Sequence, residues 1–552
     1  MSEPAPDRAR AEPRARRRPH AVLRLLVLPV AFYFVAFCAL TWPDIRFFST
    51  RFFHGGGDGW YGTWALWWFD QAVTQRGQSP FHTTMIRYPH GTSLLGSEMF
   101  NGALGIGLQR FMSLLQAHNA ILVLSFVLSG LTAFWLCHRV TRSLWASLAG
   151  GYIFTFSSYR FAHAEGHLAL LSTQFMPLFL QLFGTFLESP RALTAIASAT
   201  SLALVLAGNV YYFIFCLIAG MLMVLWRAGR RRDLFFLVSP EHRRPLAVFL
   251  LVAGLTCGPL TAAVLIADAR DPLEGTPDRR EYSLDALAPF VPGGHWRFAD
   301  ATRSYWSALP GNIHESSVDI GVSVWALLFY VWWRRRRIAE PDVGSWYLLF
   351  LVPLLLALGP VLHVWGKECA RLPQALLFDQ VPLLRPFSAP VRFVVLSALA
   401  ASVLVSLGLV ALWREGRSGR ALMALFAVIM VVEYLPRPIP LSSPEMPGFV
   451  GFLRSRPGPG AVVDLVTPRW EALYYQTVHG RPIMGGHVAR LPRSVLQKDQ
   501  LVRDLVERRQ YGELSRRYGF KYLVLRRTDP GPAAGRIYED PEVSVYDLAV
   551  AP

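Results

Sequence analysis

Eleven apolar blocks limit what this chain can fold into. They fall at residues 21–42, 118–137, 143–158, 168–187, 192–208, 210–226, 246–267, 318–333, 345–362, 391–413 and 420–435. The hydrocarbon core of a bilayer is about 30 Å thick, so a helix needs roughly 20 apolar residues to cross it. Inside it every backbone N–H and C=O must be bonded internally, which makes such blocks helices of a bundle. With 53% of its 552 residues hydrophobic and 17% charged, the chain is too apolar for a soluble protein of this size. The first block is long and lacks a small-residue cleavage site, so it reads as an uncleaved span.

A formal net charge of +17 raises the question of nucleic acid. The 55 Lys and Arg residues, however, lie mostly between apolar blocks rather than along one stripe, which suits orientation in a membrane better. No nucleic-acid partner is expected. Cys38, Cys137, Cys216, Cys257 and Cys369 are scattered, with no disulfide framework and no Cys-rich metal site.

Alternate connections should be rich in Lys and Arg if the blocks are spans. Residues 1–20 form a disordered basic arm, and Arg139, Arg142, Arg191, Arg227–Arg232, Arg334–Arg337 and Arg414–Arg420 fall on the same, cytoplasmic side. The outer set is then a first loop over 43–117, followed by 159–167, the tight turn at Asn209, 268–317, 363–390 and everything after 435. Residues 98–115 are apolar enough to span, but counting them would reverse every later connection. They read as a re-entrant or surface-lying helix with Gly102, Gly105 and Gly107 on it. After Pro436 the pattern changes to short strand-like runs at 460–466, 520–525 and 543–546 around a charged helical stretch, a small extracytoplasmic α/β domain over 436–552.

Polar residues that are unusual in a membrane protein collect on the outer side. His54-Gly-Gly-Gly-Asp-Gly-Trp60 presents a lone carboxylate, Asp58, on a glycine turn ahead of the aromatic run 60–69, which suits an interfacial belt. Glu98 stands in the same loop, and His163, Glu165 and His167 in the next. Arg160, Arg385 and Arg392 could bind an anion or anchor helices at the interface. His163 and His167 share a helix face but lack an evident third ligand, so no metal site is assigned.

Several motifs carry a resemblance. They are Gln78-Ser-Pro-Phe81, Tyr88-Pro-His-Gly91, His118-Asn119, Phe156-Ser-Ser-Tyr-Arg-Phe-Ala-His163, Glu281-Tyr-Ser-Leu-Asp285, Leu384-Arg-Pro-Phe-Ser-Ala-Pro-Val-Arg-Phe393 and the tail segment from Tyr474 to Arg490. Together they resemble the bacterial multi-pass glycosyltransferases of the type C fold (GT-C), which use a polyprenyl-phosphate sugar. The resemblance implies an all-α polytopic bundle of about eleven transmembrane helices over 21–435, with the small outer domain behind it, in the cytoplasmic membrane. It implies transfer of a sugar from a polyprenyl-phosphate donor to a glycan, lipid or protein acceptor on the outer face. Asp58 matches the family's general base by position. Arg160, Arg385 and Arg392 are expected to hold the donor phosphate, and Glu98, His163, Glu165 and His167 to contact substrate. No cofactor is implied beyond an optional divalent cation. Many members carry two acids close together in the first loop, whereas the acids nearest Asp58 here are Asp44 and Asp70. The rival readings are a transporter or flippase of lipid-linked saccharides, which should place ionisable groups deep within spans, and a non-catalytic scaffold.

Overall fold

The computed structural model describes residues 21–550 apart from 276–277, 339, 341, 382–383 and 385–386. The basic arm at 1–20 and Arg385 lie outside the described residues. Each of the eleven apolar blocks contains a helix. In chain order these are α1 (Leu28–Leu40), then in the first loop α2 (Asp58–Asp70) and α3 (Met99–Leu108), then α4 (Leu114–Thr141), α5 (Leu144–Thr155) and the short α6 (Ser158–Ala164). They continue with α7 (Phe175–Glu188), α8 (Ala192–Gly208), α9 (Val210–Arg231), α10 (Arg243–Arg270), α11 (Val322–Arg334), α12 (Val343–Ala357), α13 (Val394–Arg414) and α14 (Arg417–Glu433).

Local chemistry sets several of the ends. Ser113 accepts from the Gln116 N–H while the Gln116 side chain returns to the Ser113 N–H, a capping box that starts α4. Asn209 Oδ1 accepts from Tyr211 N at 2.8 Å and makes the two-helix turn between α8 and α9.

Among the described residues six helical stretches are long and apolar enough to cross a bilayer, beginning at Leu23, Leu114, Leu168, Val210, Arg243 and Pro390. The other five blocks yield helices of 12 to 17 residues, α5, α8, α11, α12 and α14. At 1.5 Å per residue these reach roughly 18–26 Å, short of a full crossing unless their flanking turns are included. The block at 143–158 shows why: its helix stops at Thr155 and the chain turns into α6.

The Arg-rich connections meet at one end of the bundle. Glu188 bridges Arg139 and Arg227, Asp342 faces Arg227 and Arg230, and Arg334 pairs with Glu415 at 2.8 Å. The 28-residue α4 runs about 42 Å from this end to the first loop. The histidines and acids of the loops therefore gather at the opposite end.

Helix α3 has ten residues and lies against α2. A methyl group on Gly102 would clash with the Phe69 ring and one on Gly105 would meet Leu66 at 3.0 Å, so these glycines permit the close approach. The aromatic run does not form an interfacial belt: Trp60, Trp64, Trp67, Trp68 and Phe69 are all buried. What buries them is the tail. Trp64 Nε1 donates to Gln476 Oε1 at 2.6 Å, and Trp60 stacks on Tyr474 with ring centroids 4.5 Å apart.

In the tail, strands β1 (Ala461–Asp464), β2 (Phe520–Arg526), β3 (Arg536–Glu539) and β4 (Val543–Asp547) form a sheet in the order β1-β2-β4-β3. β1 pairs parallel to β2, with Val463 opposite Leu523, and the other pairings are antiparallel. Alternation along the strands gives two apolar faces. Val462, Tyr522, Val524 and Val545 pack into a core with Trp64, Trp68, Met85 and Ile86 of the first loop. Val463, Leu523 and Leu525 face helices Arg493–Glu507 and Tyr511–Tyr518 through Val502, Tyr511 and Leu514. The sheet and the first loop thus share one core, which fixes the tail over the turn that carries Asp58.

Candidate active site

Gly56 and Gly57 have φ of 89° and 52°, a left-handed turn that glycine adopts at least cost, and it delivers Asp58 as the first residue of α2. Asp58 makes no capping bond to its own helix. Its carboxylate instead accepts from three donors drawn from two distant segments. His167 Nε2 is 3.2 Å from Oδ2, while His487 Nε2 at 3.0 Å and Trp470 Nε1 at 3.2 Å reach Oδ1. The side chain remains 37% exposed, so it is reachable from solvent. Burial pushes the Asp58 carboxyl up, but the hydrogen bonds donated by His167 and His487 outweigh burial and hold it well below the usual carboxylate range.

Because an ionised carboxylate only accepts, His167 carries an N–H on Nε2, and in the neutral ring its Nδ1 is an acceptor. That nitrogen lies 3.2 Å from His163 Nδ1, which is therefore the donor. His163 is fully buried, and desolvation keeps it well below the usual imidazole range and neutral. Its other nitrogen lies 3.8 Å from Glu315, which is bound through two oxygens by Arg392, with Nε 3.1 Å from each. Arg392 also sits over the Tyr211 ring at 4.9 Å. A line of polar groups thus runs from the open carboxylate of Asp58 to a sealed ion pair.

Glu165 points to a separate pair of imidazoles, His295 Nδ1 at 2.7 Å and His314 Nδ1 at 3.7 Å. Its backbone carbonyl accepts from Gly55 N at 2.9 Å, tying the second loop to the glycine turn.

Four residues expected at the site are engaged by other groups of the protein. Arg160 is fully buried, donating to the Thr155 and Leu171 carbonyls and to Ser129 and Thr173, with its guanidinium 4.5 Å from the Phe126 ring. It braces the bundle and has no open path to an anion. The charge of Arg392 is neutralised by Glu315. Glu98 is buried, with Oε2 accepting from Asn101 Nδ2 at 2.8 Å and Oε1 from Ala169 N at 3.0 Å, so it ties the first loop to the second. His163 stands in the wall behind His167 rather than at the surface.

Burial pushes the Glu98 carboxyl up to about 7, against the bonds from Asn101 and Ala169. A carboxyl whose folded value exceeds its unfolded value stabilises fully below the unfolded pKa and loses that contribution as pH rises through the folded one. Over the roughly 2.5 units concerned this is about 3 kcal/mol. Wild type is expected to melt at progressively lower temperature from about pH 5 to about pH 8, and Glu98→Gln to show a flatter profile. Parallel profiles in detergent would remove Glu98 as the cause.

His295, His487, Trp470 and Arg490 were not singled out as site residues from sequence. Two of them had a signal: His295 and His487 each follow a Gly-Gly pair, as Asp58 follows a glycine run.

A family profile described as a domain of unknown function (DUF6311) matches residues 74–433. The chain belongs to that family. No curated protein matches it. Among solved structures, the mycobacterial arabinofuranosyltransferase AftD aligns over 95% of this chain and 40% of its own, at 14% identity and a TM-score of 0.52. A variant of AftD gives 0.55 over 41% of its length, also at 14% identity. The Archaeoglobus fulgidus oligosaccharyltransferase AglB, solved with an inhibitory peptide and a dolichol-phosphate, aligns over 92% of this chain and 70% of its own at 11% identity and 0.46. This DUF6311 member therefore has the GT-C fold, and it spans well under half the length of AftD.

Proposed function

We propose that the protein is a membrane glycosyltransferase that moves a sugar from a polyprenyl-phosphate donor to an acceptor on the outer face of the cytoplasmic membrane. The observation that carries this reading is the Asp58 carboxylate, half open at the rim and held by His167, His487 and Trp470. In this reading the eleven helices cross with residues 1–20 in the cytoplasm, the Arg-rich end inside and the tail domain outside.

The acceptor hydroxyl displaces one imidazole from Asp58, which restores basicity to the carboxylate, and gives up its proton to it. The oxygen attacks the anomeric carbon as the bond from that carbon to the phosphate oxygen breaks, and polyprenyl phosphate leaves. The departing charge needs a cation that is not already neutralised. Arg490 fits better than Arg160 or Arg392: it donates to the Tyr211 hydroxyl at 2.6 Å and to Ser388 Oγ at 2.8 Å, neither of them a carboxylate, and lies three residues beyond His487. Glu165 and His167 line the approach.

The test uses protein reconstituted in vesicles with polyprenyl-phosphate pentoses and hexoses and membrane-extracted acceptors. Wild type is expected to transfer one of these sugars. Loss of a charge-assisted contact in Arg490→Ala should raise the donor KM by roughly tenfold or more. Movement of the lipid-linked saccharide across the vesicle without transfer would make the protein a transporter, and an unchanged KM would move the phosphate site elsewhere.

A further inference from the structure

Glu165, His295 and His314 each turn one ligand atom into a common space, where the three atoms lie within 4.8 Å of one another. They come from two segments, the connection after α6 and the long loop 268–317. Their own hydrogen bonds do not satisfy them. His314 has a backbone bond to Ala162, yet its Nδ1 is buried without a partner, so the N–H is on Nε2 and a bare lone pair on Nδ1 faces Glu165 Oε2 at 3.7 Å. His295 bonds Glu165 through Nδ1 and leaves Nε2 buried without a partner. Two acceptors facing each other in a half-buried space are unfavourable, and a shared cation relieves this.

We propose that Glu165, His295 and His314 bind one divalent transition-metal ion of the zinc type, with a fourth position left open. Two imidazoles and one carboxylate favour such an ion over calcium or magnesium, which prefer oxygen ligands. Ligand bonds of about 2.0–2.1 Å in a tetrahedral site put neighbouring ligand atoms roughly 3.3 Å apart. The His314 to Glu165 separation of 3.7 Å is close to that. The His295 to Glu165 pair at 2.7 Å is hydrogen-bonded and opens by about half an ångström as the ion replaces the bridging proton. Entry is available, since the His314 side chain is 33% exposed while His295 is 3% exposed.

The backbone supports the ligands from both sides. The His295 carbonyl accepts from Arg437 N at 2.8 Å and the Glu165 carbonyl from Gly55 N at 2.9 Å. A bound ion would staple the loop 268–317 to the segment holding His167, whose ring lies 6.0 Å from that of His314. Asp58 is not a ligand in this set, and the proposal stands whether or not the protein transfers sugar.

The full chain in detergent, stripped with a chelator and desalted, is titrated with Zn²⁺ alone and with Co²⁺ alone. About one Zn²⁺ is expected to remain bound through gel filtration and to raise the melting temperature. Co²⁺ should show the visible d–d absorption of a tetrahedral site, which Zn²⁺ abolishes. Glu165→Gln and the partly exposed His314→Gln should lose that absorption and weaken Zn²⁺ binding by at least roughly tenfold, whereas the exposed His82→Gln should bind as wild type does. Wild type that retains no Zn²⁺ and gives no Co²⁺ band overturns the site. So does a His314→Gln protein that matches wild type, because the metal then sits elsewhere.

Discussion

Asp58→Asn is expected to lower sugar transfer by about 10²–10⁴-fold while the protein stays folded. The substitution keeps the shape of the side chain and an oxygen that can accept from Trp470 and His487, so the contacts that hold the tail over the turn persist. It removes the charge and the lone pair that takes the acceptor proton. The depressed pKa means that the carboxylate is ionised throughout any workable pH range, and also that it is a weak base while both imidazoles hold it. The loss should therefore fall on kcat, with the donor KM nearly unchanged. A variant with kcat within a few-fold of wild type and an unchanged melting temperature would remove Asp58 from the chemistry. The proton would then have to leave through His167 or His487.

The features legible in sequence were those with a local cause. Glycines at 55–57 force a turn wherever they stand, so the presentation of Asp58 could be read from them. Apolar blocks become helices because their backbone has nowhere else to bond. The strands at 461–464, 520–526 and 543–547 followed from their alternation. Features set by distant partners were not legible. The aromatic run looked like an interfacial belt because Trp, Tyr and Phe suit both a lipid boundary and a core. The choice was made by Gln476 and Tyr474, more than 400 residues later. Arg160 and Arg392 looked alike in sequence, yet one braces carbonyls and hydroxyls and the other is committed to Glu315, 77 residues earlier. The donors around Asp58 combine a residue 109 positions downstream with two in the tail, a closure that no local periodicity encodes.

The Arg392 and Glu315 pair carries the largest expected effect on stability. Both side chains are largely removed from water, Glu315 at 4% and Arg392 at 15% exposure. Arg392→Met fills similar volume but leaves Glu315 without its counter-charge, and breaking a buried pair from one side costs about 3–5 kcal/mol. Burial pushes the Glu315 carboxyl up, and the Arg392 guanidinium outweighs it to set a value of about 2. A carboxyl held below its unfolded value contributes its stability above that unfolded value and loses it as pH falls through the folded one. Wild type should thus lose this contribution between about pH 4 and about pH 2, while Arg392→Met should lack it already at neutral pH. The double variant Arg392→Met with Glu315→Met removes both charges and should recover most of the loss, because it is the unpaired charge and not the missing bridge that destabilises. Melting temperatures of the two variants and wild type in one detergent decide the matter. A loss in Arg392→Met of less than about 1 kcal/mol would mean that water reaches the pair, as it does at surface bridges. Arg392 could then exchange Glu315 for a phosphate, and its place in the donor site would be restored.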